Sequence, residues 1–300
     1  MAIKIDKIRK QRTYIIKSSV KYILDELQDI AELDSLAEKK QKEYGKKSLF
    51  CFLGILSLFI LIFFISIFSS NAELLGVVTL LSILISFVLL IAGIYTLFMR
   101  FKFQRLNLNN YRYQLTQKVI QMLDRDIKED AVLDLSLSFQ PLERAENKTA
   151  TIDHPYKSGW KIDNYAQEWL VIKGQFLDTT HFELSLNSIL KKQYGWKRGS
   201  SGKSKYKSKS KSGGLDISLK LTYSQNRYGA VKILQNEVNH AIKLPVSSSL
   251  RRLRITDEVI YITARVAPQF VEIQDKVYQT ITAMFLSIYQ VLNLAKIITK

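Results

Sequence analysis

Apolar and polar positions follow three different periods along this chain, and each period predicts a different element. Upstream, Ile16, Val20, Ile23, Leu27 and Ile30 recur at steps of four and three, a seam along one face of a helix. Asp34 interrupts the seam and Ala37 resumes it. Ser35-Leu36-Ala37-Glu38 reads as a capping box, which predicts a break near Ser35. From Ser48 to Met99 the periodicity vanishes: only 14 of 52 residues fall outside the apolar set, and the sole charge is Glu73. Residues 48–72 form an uncharged run of 25 and residues 74–99 one of 26. A helix needs about 20 apolar residues to cross a bilayer core, so each run suffices for one span. Residues 69–73 supply the polar break, giving a hairpin with spans over 48–70 and 74–98. Apolar side chains cover every face of both helices, a distribution suited to lipid.

Beyond the hairpin, Leu108, Tyr111, Leu115, Val119, Met122 and Ile127 predict a second amphipathic helix over 100–130. Val277, Ile281, Met284, Ile288, Val291, Ala295 and Ile298 keep the four-three rhythm without a miss and predict a third, over 269–300. Between them the period falls to two. Leu133, Leu135, Leu137 and Phe139 alternate with Asp134, Ser136 and Ser138, and similar runs occur at 169–172, 182–186, 215–221, 230–234, 250–255 and 259–262. Seven short strands and no alternation with helices predict an antiparallel sandwich or small barrel over 132–268 rather than a nucleotide-binding α/β domain. The expected fold is therefore an α+β membrane protein: a helix over 1–47, a transmembrane hairpin over 48–99, a helix over 100–131, the β-rich domain, and a C-terminal helix, with the three long helices forming a stalk.

Charge fixes the expected orientation. Lys39, Lys40, Lys42, Lys46 and Lys47 precede the first span, and Arg100, Lys102 and Arg105 follow the second. The turn carries no Lys or Arg, so both termini are expected in the cytosol, with Asn71 and Glu73 on the far side. That arrangement predicts an integral protein of a bacterial inner membrane. Neither span has a central ionisable residue, which argues against a transporter or pump. Cys51, the only cysteine, reads as an apolar filler within the first span.

One polar segment stands apart. Residues 191–211 hold eight Lys and one Arg with no acid, contributing +9 of the formal +17. Self-repulsion and the Ser/Gly content predict a mobile loop over 191–214. Its candidate polyanion-binding residues are Lys191, Lys192, Lys197, Arg198, Lys203, Lys205, Lys207, Lys209 and Lys211. If extended, the odd-numbered lysines from 203 onward project to one side about 7 Å apart. Anionic lipid or another polyanion, nucleic acid with its phosphates on the lysines and its bases stacked on Tyr194, Trp196 and Tyr206, and a solvated insertion are the competing uses. Arg251, Arg252 and Arg254 read as a solvated strand face.

Catalytic chemistry is sparse. The three histidines are His154, His181 and His240, and no metal-ligand spacing, phosphate loop or nucleophile elbow occurs. His181 and Glu183 are the better imidazole–carboxylate pair, because alternate residues of a strand share a face. With 12 Gly, 4 Pro and 1 Cys, composition excludes a collagen-like or disulfide-built protein. No enzyme, cofactor or metal is expected.

In layout, an N-terminal helix, a tight two-span hairpin over 48–99 and a following helix to about Asp130 resemble the SLATT-type two-transmembrane effectors. The resemblance covers about 130 residues and implies a membrane-perturbing effector governed by an attached sensor. The expected function is a non-enzymatic sensor or effector, its β-rich domain coupled to the hairpin through the stalk. A static oligomeric scaffold gripping anionic lipid or another polyanion, and an enzyme centred on His181 and Glu183, are the alternatives.

Overall fold

The computed structural model describes residues 12–68, 72–229, 231–234 and 242–298. It divides into two compact units, residues 29–108 and residues 1–28 with 109–300. The polar break at 69–71, including Asn71, and His240 lie outside the described residues.

The first unit is an antiparallel helical pair. Helix α1 runs Val20–Phe68 and α2 runs Ala72–Leu106. Small residues set their spacing: a Cβ on Gly54 would lie 3.2 Å from Leu89, and one on Gly93 would lie 3.4–3.6 Å from Phe52 and Cys51. Tyr44 stacks on Phe103 at 5.7 Å, and Asp34 Oδ1 accepts a hydrogen bond of 2.7 Å from the Leu108 N–H. These contacts hold one register from Asp34 to Gly93. Elsewhere the pair turns large apolar side chains outward, Phe50, Phe63, Phe87 and Phe98 among them. Both helices are long and apolar enough to cross a membrane.

The second unit is one open antiparallel sheet rather than a sandwich or barrel. Its strands are β1 Thr13–Ser19, β2 Val132–Ser138, β3 Lys148–Asp153, β4 Trp160–Gln175, β5 His181–Arg198, β6 Ser204–Thr222, β7 Ser248–Ile255 and β8 Val259–Val266. The order is β1-β2-β4-β5-β6-β8-β7, with β3 also on β4. A sandwich needs a second sheet over the apolar face; helices take that place here. Helix α3 Asn110–Asp124 and helix α5 Gln274–Ile298 lie on it, with the single turn α4 Gln225–Tyr228 between them in sequence. Leu135, Ile172, Leu184, Leu219 and Ile262 form one fully buried row across five strands. Phe285 of α5 closes on Phe176 and Phe182 from the helical side.

Several expectations are corrected. The seam at Ile16 belongs to β1, not to a helix, because β1 pairs with β2 far away in sequence. No break occurs at Ser35; its hydroxyl donates to the Glu32 carbonyl and α1 continues. The helix expected over 100–130 is interrupted at 107–109. Residues 231–234 form a 3-10 turn instead of a strand. Of the three helices expected in a stalk, α3 and α5 roof the sheet; α5 too is long and apolar enough to span a bilayer, and its four-three seam is buried from Val277 to Ala295, with Ile298 exposed.

Two local devices shape the sheet. Trp169 is an extra residue between the Glu168 and Leu170 pairings, so Trp169 and Leu170 are both buried. Its ring meets the Arg112 guanidinium at 5.3 Å. Arg112 donates to the carbonyls of Ser138 and Gln140 and to Gln167 Oε1, and burial pulls its pKa down to about 10. On the opposite, solvent-facing side, Lys173 bridges Glu183 at 3.0 Å and Arg265 grips Asp216 with two bonds of 2.6 Å.

Candidate polyanion site on the lysine hairpin

The lysine-rich segment is not a loop. It is the distal half of the β5–β6 hairpin, paired in register from Leu190 with Ser212 to Arg198 with Ser204. Hydrogen bonding to β5, itself held by β4 as far as Trp160, offsets the self-repulsion that composition alone emphasises. The hairpin closes through Gly199–Lys203, where Gly202 has φ +75, a left-handed conformation that costs glycine little. β8 partners only Leu215–Thr222, so residues 204–214 of β6 form a free edge.

Strand parity sorts the candidate residues onto two faces. Lys191, Lys197, Lys205, Lys207, Lys209 and Lys211 share the solvent-facing side, continuous with Asn187 and Glu183 of the proximal sheet. Lys191 lies directly opposite Lys211, and Lys197 opposite Lys205. Like charges so placed destabilise a sheet. None of these six has a carboxylate partner among the described residues. Beside the distal ribbon β4 offers this face Trp160, Ile162, Asn164 and Ala166; the acids of the same face, Glu168, Glu183 and Asp216, stand in the proximal half, where Lys173 and Arg265 bridge Glu183 and Asp216.

Three candidates fall elsewhere. Lys192 points to the other side and bridges Glu143 at 2.7 Å; that hydrogen bond raises the Lys192 pKa and, with one from Ser210, lowers that of Glu143. Arg198 is on the same side as Lys192, donating to the Gly202 carbonyl, and Lys203 belongs to the turn. Tyr194, Trp196 and Tyr206, the aromatics expected beside the lysines, also lie on that opposite side.

The aromatic ring that does share the lysine face is Trp160. It stands directly across from Gly195, and a Cβ there would lie 2.6 Å from the indole Cγ. Only glycine lets the ring lie flat on the strand. Its Nε1–H donates to the Trp196 carbonyl at 3.1 Å, and Lys157 Nζ sits 4.5 Å above the ring centroid. Lys157, Trp160, Gln193, Lys197, Lys207 and Lys209 line a cavity of about 590 Å³. A second basic hollow of about 370 Å³ on the same side of the sheet is lined by Lys220, Arg252, Arg254 and Tyr261. Arg252 and Arg254 face solvent there, and Arg251 falls at a bulge.

His181 and Glu183 share a face as alternate residues of β5, and the Glu183 carboxylate meets Lys173. His154 Nδ1 accepts from the Tyr156 N–H in a turn. No group of three or more metal-ligating side chains converges among the described residues. No protein-family model, curated protein or solved structure matches this chain.

Proposed function

We propose that this chain is a non-enzymatic, membrane-anchored sensor or effector whose sheet receives a polyanionic ligand on the lysine face. Helices α1 and α2 cross a bacterial inner membrane as a two-span hairpin, with the sheet on the cytosolic, lysine-bearing side. The carrying observation is the two directly opposed lysine pairs, Lys191–Lys211 and Lys197–Lys205, none of whose members is ion-paired among the described residues. A bound polyanion relieves that repulsion, so the free energy of binding includes strain already present in the unliganded sheet. Helix α1 supplies the route to the hairpin: Ile23 and Leu27, in its first turns, are buried, and the same helix becomes the first span. Signalling requires the ligand to favour one of two arrangements of the hairpin.

The test is dye release and conductance of the full chain in neutral-lipid liposomes, with inorganic polyphosphate added on the sheet side. Release that depends on polyphosphate, and is lost on changing Lys205, Lys207, Lys209 and Lys211 together to Gln, is expected. Polyphosphate binding with flat traces throughout would leave a static scaffold in place of an effector. Labelling of an Asn71→Cys variant from the cytosolic side of intact cells would overturn the two-span arrangement itself.

A further inference from the structure

We infer that the polyanion is single-stranded nucleic acid, with a base stacked on Trp160 and the phosphates following the lysine edge of β6; the inference rests on the polyanion reading above. The recess combines the two elements that sequence-tolerant strand binding needs, an aromatic platform and a charged track. The platform is built rather than incidental. Gly195 gives the indole a flat seat, and the Nε1–H bond to the Trp196 carbonyl fixes its rotation. One ring face is therefore against the strand and the other looks into the cavity, where the exposed Lys157 sits over it; the His154 ring stands near-perpendicular to the indole at 6.4 Å. A base entering the cavity takes the place of the Lys157 ammonium on the ring, and that ammonium is released towards a neighbouring phosphate.

The track is the free edge. Lys205, Lys207, Lys209 and Lys211 project at every second residue along a strand end that no other strand covers among the described residues, with Lys197 beside them on β5. A duplex cannot use the recess, because its bases are stacked and paired out of reach. Few side chains are placed to read a base edge; Gln193 and Ser208 are the neutral polar residues lining the cavity, so weak sequence preference is expected. A bilayer surface fits less well. Lipid-facing proteins bring aromatic anchors and basic residues to the same level. Here the two most exposed aromatics of the hairpin, Trp196 and Tyr206, point away from the lysine comb, while Trp160 is half-buried within it.

The experiment uses the full chain in phosphatidylcholine nanodiscs. It compares a fluorescent 15-nucleotide oligothymidylate with an abasic strand of equal length, inorganic polyphosphate, and phosphatidylserine vesicles. Wild type should bind the base-bearing strand about tenfold more tightly than the abasic one, the ratio that stacking of one base supplies. Trp160→Ala should equalise the two, and Trp160→Phe should keep part of the preference. Gly195→Val, which fills the seat of the indole, should act like Trp160→Ala without removing the ring. Changing Lys207 and Lys209 to Gln should weaken both strands alike and flatten the salt dependence, by about 0.7 in log–log slope for each phosphate that is no longer neutralised. Equal affinity of wild type for the two strands, or a preference unmoved by Trp160→Ala and Gly195→Val, overturns the stacking assignment while leaving polyanion binding intact. Binding to phosphatidylserine vesicles alone replaces nucleic acid with lipid as the ligand. No binding to any of the four probes removes both readings together.

Discussion

The β5–β6 hairpin is two structures joined end to end. In its proximal half, residues 181–188 against 215–222, the inner side chains Phe182, Leu184, Leu186, Ile217, Leu219 and Leu221 are buried beneath helices. In its distal half, residues 189–198 against 204–214, the pairing continues but most of the same strand positions are exposed. Alternation persists in both; its meaning changes. Proximal alternation separates core from solvent, so folding dictates residue type. Distal alternation separates lysine from serine and aromatic, on a ribbon whose burial demands little. Under the proposed function, a run of lysines that raises the energy of its own ribbon there is explained by a polyanion that the ribbon would bind. Lysines also blunt an open sheet edge against pairing with other chains, but that task does not call for Lys191 and Lys197 on the inner strand or for a recessed Trp160.

The sharpest way to break this comparison is to truncate one residue in each half. Leu219→Ala removes a fully buried side chain and should destabilise the sheet unit by about 3 kcal/mol. Lys207→Ala, on the exposed ribbon, should shift stability by no more than about 0.5 kcal/mol while weakening polyphosphate binding. Urea unfolding of the full chain in a fixed detergent, with a parallel binding titration, gives both numbers. Equal stability losses would mean that the distal ribbon is part of the core.

A smaller effect probes the turn that anchors the proximal end. Asp178 accepts hydrogen bonds from the Tyr228 hydroxyl and the Thr180 N–H. Burial on its own pushes the Asp178 carboxyl up, but these donors and the nearby Arg227 outweigh it and hold it below the usual aspartate range. Burial, with Asp178 beside it, raises Tyr228 to about 12. Tyr228→Phe should cost about 1.5 kcal/mol at pH 7, a hydrogen bond to a charged group. Because the Asp178 pKa is depressed on folding, its contribution is present above its unfolded pKa and fades as pH falls through the folded value. Because the Tyr228 pKa is raised, the hydroxyl contributes below about pH 10 and fades as pH climbs towards 12. The penalty of Tyr228→Phe should therefore shrink at both extremes. A penalty that stays flat from pH 3 to pH 11 would deny the pair any role.

What the sequence disclosed follows the same division. Segments with one greasy and one wet face, such as 133–139 and 215–221, announced themselves through alternation, and the seam of α5 did so through its four-three rhythm. In 160–168 the covered positions include Asp163, Tyr165 and Gln167 rather than a run of aliphatic residues, so the segment left no apolar alternation. The lysine ribbon is mostly exposed and read as a mobile loop, its conformation coming from neighbouring strands, not local preference. Ile16 fitted a helical seam because one apolar residue at a step of four is compatible with either period. Its true partner is Leu135. Within the candidate site, charge singles out the lysines, although it does not separate the six on one face from Lys192, Arg198 and Lys203. Trp160 and Lys157 were missed because the glycine that seats the indole lies 35 residues further along the chain, and only the β4–β5 register joins them. Arg112 gave no warning either, since its acceptors are mainly backbone carbonyls.

The finest effect concerns the repulsion itself. Lys205 faces Lys197 across the hairpin near its turn, where neither has an acid in reach of its strand face. Lys205→Glu converts that pair from like to opposite charge. Cross-strand pairs of this kind alter stability by a few tenths of a kcal/mol, about a twofold change in the local opening equilibrium. Amide hydrogen exchange should report slower opening of residues 192–198 and 204–210 in the variant, with proximal amides unmoved. Raising salt should slow opening in wild type by screening the repulsion and should narrow the gap between the two proteins. Polyphosphate should slow wild-type exchange over the same amides and do less in Lys205→Glu, because part of the strain it relieves is already gone. If the variant opens faster than wild type at low salt, the opposed lysines are not a source of strain, and the distal ribbon owes its lysines to edge protection alone.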